Sequence, residues 1–241
     1  MYATIVLPAF NEEDSIGPLL REIRERIDGL PVREVVLVDD GSTDATAERA
    51  KAVWANEPSL RILRHCRRQG QSRALLTGIR AASEELIVTL DADGQNDPAD
   101  IATLISAYVG GQRRTSRMMV AGQRMQRQDT LVKRLSSRIA NGVRASVLGD
   151  NVRDTGCSLK LFRRQDFLEL PFFDHIHRFI PALMKASGVV VVLVDVGHRP
   201  RKAGLSKYGL WNRLWAGLYD LVGVRWLLKR QIGNVELETV Q

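Results

Sequence analysis

Ala3-Thr4-Ile5-Val6-Leu7 runs through Pro8-Ala9-Phe10-Asn11-Glu12-Glu13 to Ile16, Leu19, Leu20, Ile23 and Ile27, then to Val35-Val36-Leu37-Val38 and Asp39-Asp40-Gly41-Ser42. The first apolar run is β-prone, the next set recurs at the three- and four-residue steps of a helix, and the last is a short, wholly apolar strand. Strand, helix and strand in such close succession form a βαβ unit, its strands parallel through a right-handed crossover. Working outward, the alternation repeats. Residues 44–54 read as a helix, 60–63 as a strand, 72–82 as a helix, 86–90 as a strand ending in Asp91, and 98–108 as a helix with Pro98 in its first turn. Beyond Gly110 the pattern weakens: strands at 118–122 and 158–162, a basic amphipathic helix at 131–148 and a helix at 179–186 are expected. The unbroken apolar run at 189–196 suits a strand covered on both faces. The fold class predicted is α/β, with a mostly parallel central sheet flanked by helices.

With 241 residues, 44% hydrophobic and 26% charged, the chain is long enough for one large domain or a domain with an appendage. That composition excludes disordered, collagenous and coiled-coil classes. Two cysteines, Cys66 and Cys157, and four histidines supply neither a disulfide framework nor zinc-ligand spacing, which favours a reducing compartment. No basic leader precedes the first strand, so a signal peptide is not expected, and no uncharged apolar run approaches the roughly 18 to 20 residues that span a bilayer.

The net charge of +7 is unevenly spread. Residues 110–145 carry nine cations against Asp129, residues 197–230 carry eight against Asp220, and the remainder is acidic. Acidic loops early and basic segments late suit a divalent metal and a phosphorylated or membrane-borne anion respectively.

Ligands of open α/β sheets sit beyond the carboxyl ends of the strands, where Asn11, Asp39, Asp40, Asp91 and Asp93 fall. Asp91-Ala92-Asp93-Gly94-Gln95 releases two carboxylates from a strand end toward one point, with the Gln95 amide oxygen beside them. Oxygen-only donors suit Mg²⁺ or Mn²⁺ completed by water and substrate phosphates. Asp39-Asp40-Gly41-Ser42-Thr43-Asp44 ends another strand and opens a helix. Ser42 or Asp44 is a candidate cap, while Asp39 and Asp40 are placed to accept from nucleobase N–H or ribose hydroxyl groups. The Gly-x-Gly-x-x-Gly fingerprint of dinucleotide enzymes is absent.

The residues 6–13, the Asp39-Asp40-Gly41-Ser42 turn, Gly70-Gln71-Ser72 with Ala74, Asp91-Ala92-Asp93-Gly94-Gln95, Asp154-Thr155-Gly156-Cys157, and Arg201 with Gly204, Ser206, Lys207 and Tyr208 occur in the order seen in family 2 glycosyltransferases. The chain resembles the branch containing dolichyl-phosphate mannose synthase and bacterial undecaprenyl-phosphate glycosyltransferases, over about residues 2–210. The resemblance implies a GT-A fold of the nucleotide-diphospho-sugar transferase type. It implies nucleobase and ribose contacts at Pro8, Phe10 (often Tyr in the family), Asn11, Glu12 and Asp40, and a loop near the nucleotide at Gly70 and Gln71. Asp91, Asp93 and Gln95 match the metal motif. Arg201, Ser206 and Lys207 match a late loop on the diphosphate, and Asp154 an acceptor-side carboxylate that acts as a base in many members. Arg124, Arg127 and Arg138 are candidates for holding an acceptor phosphate through the bidentate guanidinium fork.

Trp211, Leu214, Trp215, Leu218, Leu221, Val222 and Trp226 recur at three and four residue steps, interrupted by Arg213, Asp220, Arg225 and Lys229. This is an amphipathic helix suited to a membrane interface, with packing on its own core or a dimer interface as the alternative. The division expected is a GT-A domain over 1–209 and a C-terminal helix and tail over 210–241. The function expected is metal-dependent, inverting transfer of a hexose or amino-hexose from a UDP- or GDP-linked donor to a polyprenyl phosphate. That places the chain in the cytoplasm, peripheral on the inner face of the membrane, with a homo-oligomer left open. The rivals are elongation of a non-lipid glycan, a silent scaffold, and a basic nucleic-acid-binding protein; the last lacks any recognisable motif, and no nucleic-acid partner is expected.

Overall fold

The structure, a computed structural model, describes residues 1–54, 59–124, 148–149, 154–200 and 210–230. Seven strands form one sheet: β1 (Ala3–Ala9), β2 (Val32–Asp39), β3 (Leu60–Arg64), β4 (Leu86–Thr89), β5 (Met118–Arg124), β6 (Lys160–Arg163) and β7 (Val190–Val196), in the order β3-β2-β1-β4-β6-β5-β7. The helices are α1 (Glu13–Arg26), α2 (Thr46–Val53), α3 (Gln71–Ala81), α4 (Asp100–Gly111), α5 (Arg164–Leu168), α6 (Ile180–Ala186) and α7 (Leu210–Arg230), with a 3-10 turn at Ile176–Arg178.

Strand alternation sorts the apolar residues into two layers. Ile5 and Leu7 of β1 and Val35 and Leu37 of β2 face α1, α2 and α4, whereas Val6 of β1 and Ile87 of β4 face α3, α6 and α7. Each fully buried Ile or Leu contributes about 1.5–3 kcal/mol, so this central slab holds the strand tips rigid. α3 lies so close to the sheet that a Cβ at Gly78 would stand 2.4 Å from Val6 Cγ1, which only glycine accommodates.

The sheet is mostly parallel, as expected, and the covering of its last strand needs correction. β6 runs antiparallel to both neighbours, β4 and β5, while every other pairing is parallel. A reversed strand begins where its parallel neighbours end, so residues 154–159 enter the sheet at the edge that carries Asp91. β7 alternates its contacts between the two cores, but it is the edge strand; Val190 is 48% exposed, so the run is only half covered. The basic helix expected at 131–148 lies almost entirely outside the described residues.

The opposite end of the sheet is fastened by Glu34. Its carboxylate accepts from Thr4 Oγ1, Ser83 N–H, Ser83 Oγ and Arg61 Nη1 at 2.8–2.9 Å. Burial pushes this carboxyl up, but Ser83, Arg61 and Thr4 outweigh it and hold the pKa below the usual value. The stability it contributes is therefore present above the ordinary glutamate pKa and lost as pH falls through the lowered one. Glu34→Ala is expected to cost about 2–3 kcal/mol at pH 7, read as a lower urea midpoint, with the deficit shrinking in acid.

Candidate active site

Three loops meet at the carboxyl edge. In the first, Asn11 adopts φ 53°, a left-handed conformation that asparagine tolerates. Its N–H donates to Ser42 Oγ at 2.9 Å and its Oδ1 accepts from Thr43 N–H at 2.9 Å, so the tips of β1 and β2 are clasped together. Asp44 accepts from Glu13 N–H and from Thr46 N–H, but the N-cap of α2 is Ala45, with no side-chain cap hydrogen bond, so the expectation that Ser42 or Asp44 caps this helix is corrected. Glu12 accepts from Ser15 Oγ at 2.8 Å.

At the tip of β2 the two aspartates part company. Asp39 is 0% exposed, accepts from Ser42 N–H at 2.8 Å and pairs with Arg64 Nε at 3.2 Å. Neighbouring residues on a strand point to opposite sides, and Asp39 points into the body. Asp40 points to the other side. Its Oδ2 accepts from Gly70 N–H at 2.8 Å, and its Oδ1 from Gln69 N–H at 2.8 Å and His65 Nδ1 at 2.7 Å. Gly41 (φ 73°) allows the 65–70 loop to close here, because a Cβ would sit 2.8 Å from the Arg67 carbonyl carbon. Phe10 lies under the Arg68 guanidinium, 4.4 Å from its ring centroid.

Gln71, the next residue after Gly70, opens α3 and donates Nε2–H to Asp91 Oδ1 at 2.8 Å. The Gly70-Gln71 dipeptide thus joins the β2 tip to the β4 tip. The Asp91 carboxyl is pushed up to about 6, by burial first and the Asp93 charge second. Asp93 Oδ1 accepts from Gln95 N–H at 3.1 Å, folding the loop into an Asx turn with Gly94 at φ 72°.

From β6 come groups that the sequence reading missed. Ser158 Oγ accepts from Asp91 N–H at 3.2 Å and donates to Asn96 Oδ1 at 2.6 Å, holding both ends of the acidic loop. Buried Lys160 donates to the Cys157 carbonyl, and its positive charge favours the ionised form of Asp91. Arg199 forks between Glu22 and Asp97 at 2.7 Å and donates its N–H to the Gln95 carbonyl at 2.9 Å, fastening the chain after β7 to the same loop. The sequence signal for Ser158 was its place in the segment following Asp154; for Arg199 there was none.

Arg124 and Asp154 meet each other. Arg124 Nε reaches Asp154 Oδ2 at 2.6 Å and Nη2 reaches Oδ1 at 2.8 Å, a two-point pair at the end of β5. They are one unit rather than the two separate groups expected. Arg201, Ser206, Lys207, Arg127 and Arg138 lie outside the described residues.

The sequence profile described as Glycosyl transferase family 2 matches residues 4–170. The chain belongs to glycosyltransferase family 2. Relatives within the family include the dodecaprenyl-phosphate galacturonate synthase of Rhizobium johnstonii, 35% identical over 94% of this chain and 67% of the relative. The undecaprenyl-phosphate 4-deoxy-4-formamido-L-arabinose transferase of Edwardsiella ictaluri is 34% identical over 92% and 67%. The chain spans about two thirds of the length of both relatives. Among solved structures, the glucosyl-3-phosphoglycerate synthase of Mycobacterium tuberculosis, in complex with Mn²⁺, UDP and phosphoglyceric acid, superposes with a TM-score of 0.68 at 22% identity, over 95% of this chain and 78% of that one. The fold of this family 2 transferase is GT-A-like.

A divalent cation fits the donor set of the family 2 site. The Asp91 carboxyl, raised by burial first and by the Asp93 charge second, gains from a cation beside it. Among the described residues no group of three or more His, Cys, Asp or Glu stands placed to hold a metal ion. Mg²⁺ commonly binds through one or two carboxylates together with substrate phosphates.

Proposed function

We propose that this family 2 enzyme transfers a hexose or amino-hexose from a nucleoside diphosphate donor to a polyprenyl phosphate, with inversion at the anomeric carbon. The observation that carries the reading is the bridge from Asp40 through Gly70 and Gln71 to Asp91, which supports taking the first carboxylate as the base contact and the second as the metal contact of one edge. On this edge Pro8, Phe10, Asn11, Glu12 and Asp40 frame the nucleoside, and Gly70 and Gln71 lie beside the diphosphate. Asp91, Asp93 and Gln95 would hold Mg²⁺ or Mn²⁺, which would supply Lewis-acid neutralisation of the leaving diphosphate. Arg201, Ser206 and Lys207 add donors to the same diphosphate.

On the acceptor side, the Arg124–Asp154 pair presents a guanidinium already oriented by a carboxylate. A phosphate monoester carries most of its second charge near neutral pH, its second pKa being about 6. It needs no base, so Asp154 acts here by aiming Arg124. Attack by a phosphate oxygen held on the face opposite the leaving diphosphate inverts the centre.

The names of both relatives contain polyprenyl phosphates, and α7 supports a lipid-borne acceptor. Leu221 and Val224 pack into the second core and Asp220 accepts from His175 Nδ1 at 2.8 Å, while Tyr219, Val222 and Trp226 are 80%, 70% and 58% exposed. The helix therefore has an inward apolar face and a separate outward one, with Arg225, Lys229 and Arg230 nearby. An interfacial pose on anionic lipid follows, peripheral on the inner membrane face. Among the described residues no helix is long and apolar enough to cross a membrane.

The test uses a radiolabelled nucleotide sugar and undecaprenyl phosphate in anionic vesicles with Mn²⁺. Label is expected to appear in the organic extract and to require the lipid phosphate. Label confined to water-soluble oligosaccharide would favour the glycan-elongating alternative and overturn the lipid acceptor.

A further inference from the structure

The acidic loop after β4 is fastened from two sides. On the β6 side, Ser158 Oγ acts at Asp91 and Asn96, accepting from the first at 3.2 Å and donating to the second at 2.6 Å. On the other side stands the chain after β7. Gly197 N–H donates to Asp100 Oδ2 at 2.8 Å and Arg199 N–H to the Gln95 carbonyl at 2.9 Å, so residues 197–199 run alongside 95–100 as a short strap. The Arg199 side chain then locks that strap in place. Nη1 and Nη2 each donate to one Glu22 carboxylate oxygen at 2.7 Å, and Nη2 also meets Asp97 Oδ2 at 2.7 Å. Glu22 lies on α1, and the other oxygen of Asp97 accepts from Ala99 N–H ahead of α4. A two-point arginine–carboxylate contact that is partly shielded from water is among the stronger ion pairs. Its hydrogen bond holds the Glu22 carboxyl below the usual glutamate range, so Glu22 stays ionised at neutral pH.

Gln95 is where this fastening reaches the carboxylates. Its carbonyl accepts from Arg199 N–H and its own N–H donates to Asp93 Oδ1 at 3.1 Å, so the strap fixes the residue that orients Asp93. The Asx turn alone is a contact within the loop. Asp93 and Gln95 could swing together about Gly94, whose φ of 72° is one of several conformations open to glycine, and the strap is what opposes that swing. We propose that Arg199 is a positioning residue for the cation site, acting through Gln95 to aim the Asp93 carboxylate. This rests on the reading of Asp91 and Asp93 as ligands of Mg²⁺ or Mn²⁺. Groups that orient a metal ligand from behind change metal affinity by about 10- to 100-fold when removed. The coupling is reciprocal: a cation that favours the aimed Asp93 also favours the strap in its place. The Arg199 guanidinium is committed to Glu22 and Asp97, so it acts on the site without touching substrate.

The experiment is calorimetric titration of Mn²⁺ into the full chain with UDP in excess. Arg199→Met, which keeps an apolar stem and removes the fork, is expected to weaken Mn²⁺ binding about tenfold or more at unchanged stoichiometry. Arg199→Lys, whose single ammonium cannot span both carboxylates, is expected to fall between Met and wild type. Glu22→Gln removes one charge-assisted arm from α1, outside the acidic loop; it is expected to weaken Mn²⁺ about threefold and serves if the Met variant does not fold. UDP affinity without metal is expected to stay unchanged in all three. A merely structural role would lower the fraction of protein that binds and leave the Mn²⁺ dissociation constant as it is, which overturns the assignment. Hydrogen exchange reads the coupling in reverse: Mn²⁺ is expected to slow exchange of the 197–199 amides in wild type, and unaltered exchange also overturns it. Equal Mn²⁺ affinity in wild type and Arg199→Met fails the proposal alone, whereas no Mn²⁺ binding by wild type fails the cation reading beneath it as well.

Discussion

Asp91→Asn is expected to lower sugar transfer by about 10³-fold while making the metal-free protein more stable at neutral pH. The first half follows from charge. In the proposed reaction negative charge gathers on the leaving diphosphate and the strand-tip carboxylates would hold the cation that meets it; losing several kcal/mol of that stabilisation costs about three orders of magnitude in rate. The second half follows from the raised pKa of about 6. An acid whose folded pKa exceeds its unfolded value is penalised for ionising. The penalty is absent below the unfolded value near 4, grows between the two, and is complete above 6, where it approaches about 3 kcal/mol. The asparagine variant should escape it, raising Tm at pH 7 by about 2–4 °C per kcal/mol recovered and leaving Tm at pH 4 near that of wild type. Gln71 keeps its partner, since an amide oxygen accepts as a carboxylate oxygen does. Thermal melts at the two pH values, paired with a transfer assay, check both halves. A variant as active as wild type, or less stable at pH 7 than at pH 4 relative to it, would contradict the account.

The second large effect concerns the Arg124–Asp154 pair. Either Arg124→Met or Asp154→Asn is expected to reduce kcat/KM for the phosphate acceptor by about 10²-fold, because misaiming a positioned charge costs on that order. The double variant should lose little more than either single one, as two halves of one device do not add. The pH profile separates positioning from base catalysis: if Asp154 aims Arg124, Asp154→Asn lowers the rate without removing an ascending limb. Loss of that limb in the variant would make Asp154 a base.

The parallel half of the fold was legible because its strands are buried on both faces and read as continuous apolar runs, with each chemical loop directly after one. The acidic loop at 91–95 was visible for the same reason, whereas the Gly70-Gln71 step came only from the family resemblance. What sequence pattern could not supply was direction and partnership. The apolar residues 158–162 read equally well as a parallel or an antiparallel strand, and that choice decides whether Ser158 and Lys160 reach Asp91. Asp39 and Asp40 look equivalent in a string, yet strand alternation turns one inward to Arg64 and the other toward the 65–70 loop. His65 offered no base and nucleophile spacing, yet the fold sets its ring between Asp40 and Thr77. The stripe of α7 mixed residues from two faces: Leu221 and Val224 pack inward, whereas Val222 and Trp226 face out.

The claim on which the rest stands is that Asp91 and Asp93 gather one divalent cation against a diphosphate, beside Asp40. Diffraction from crystals grown with Mn²⁺ and UDP, with anomalous data at the manganese edge, measures it directly. The prediction is a single strong peak within about 2.5 Å of Asp91 or Asp93 carboxylate oxygens and of a UDP phosphate oxygen, with the base beside Phe10 and Asp40. A peak elsewhere, or UDP bound away from the Gly70-Gln71 bridge, would contradict it.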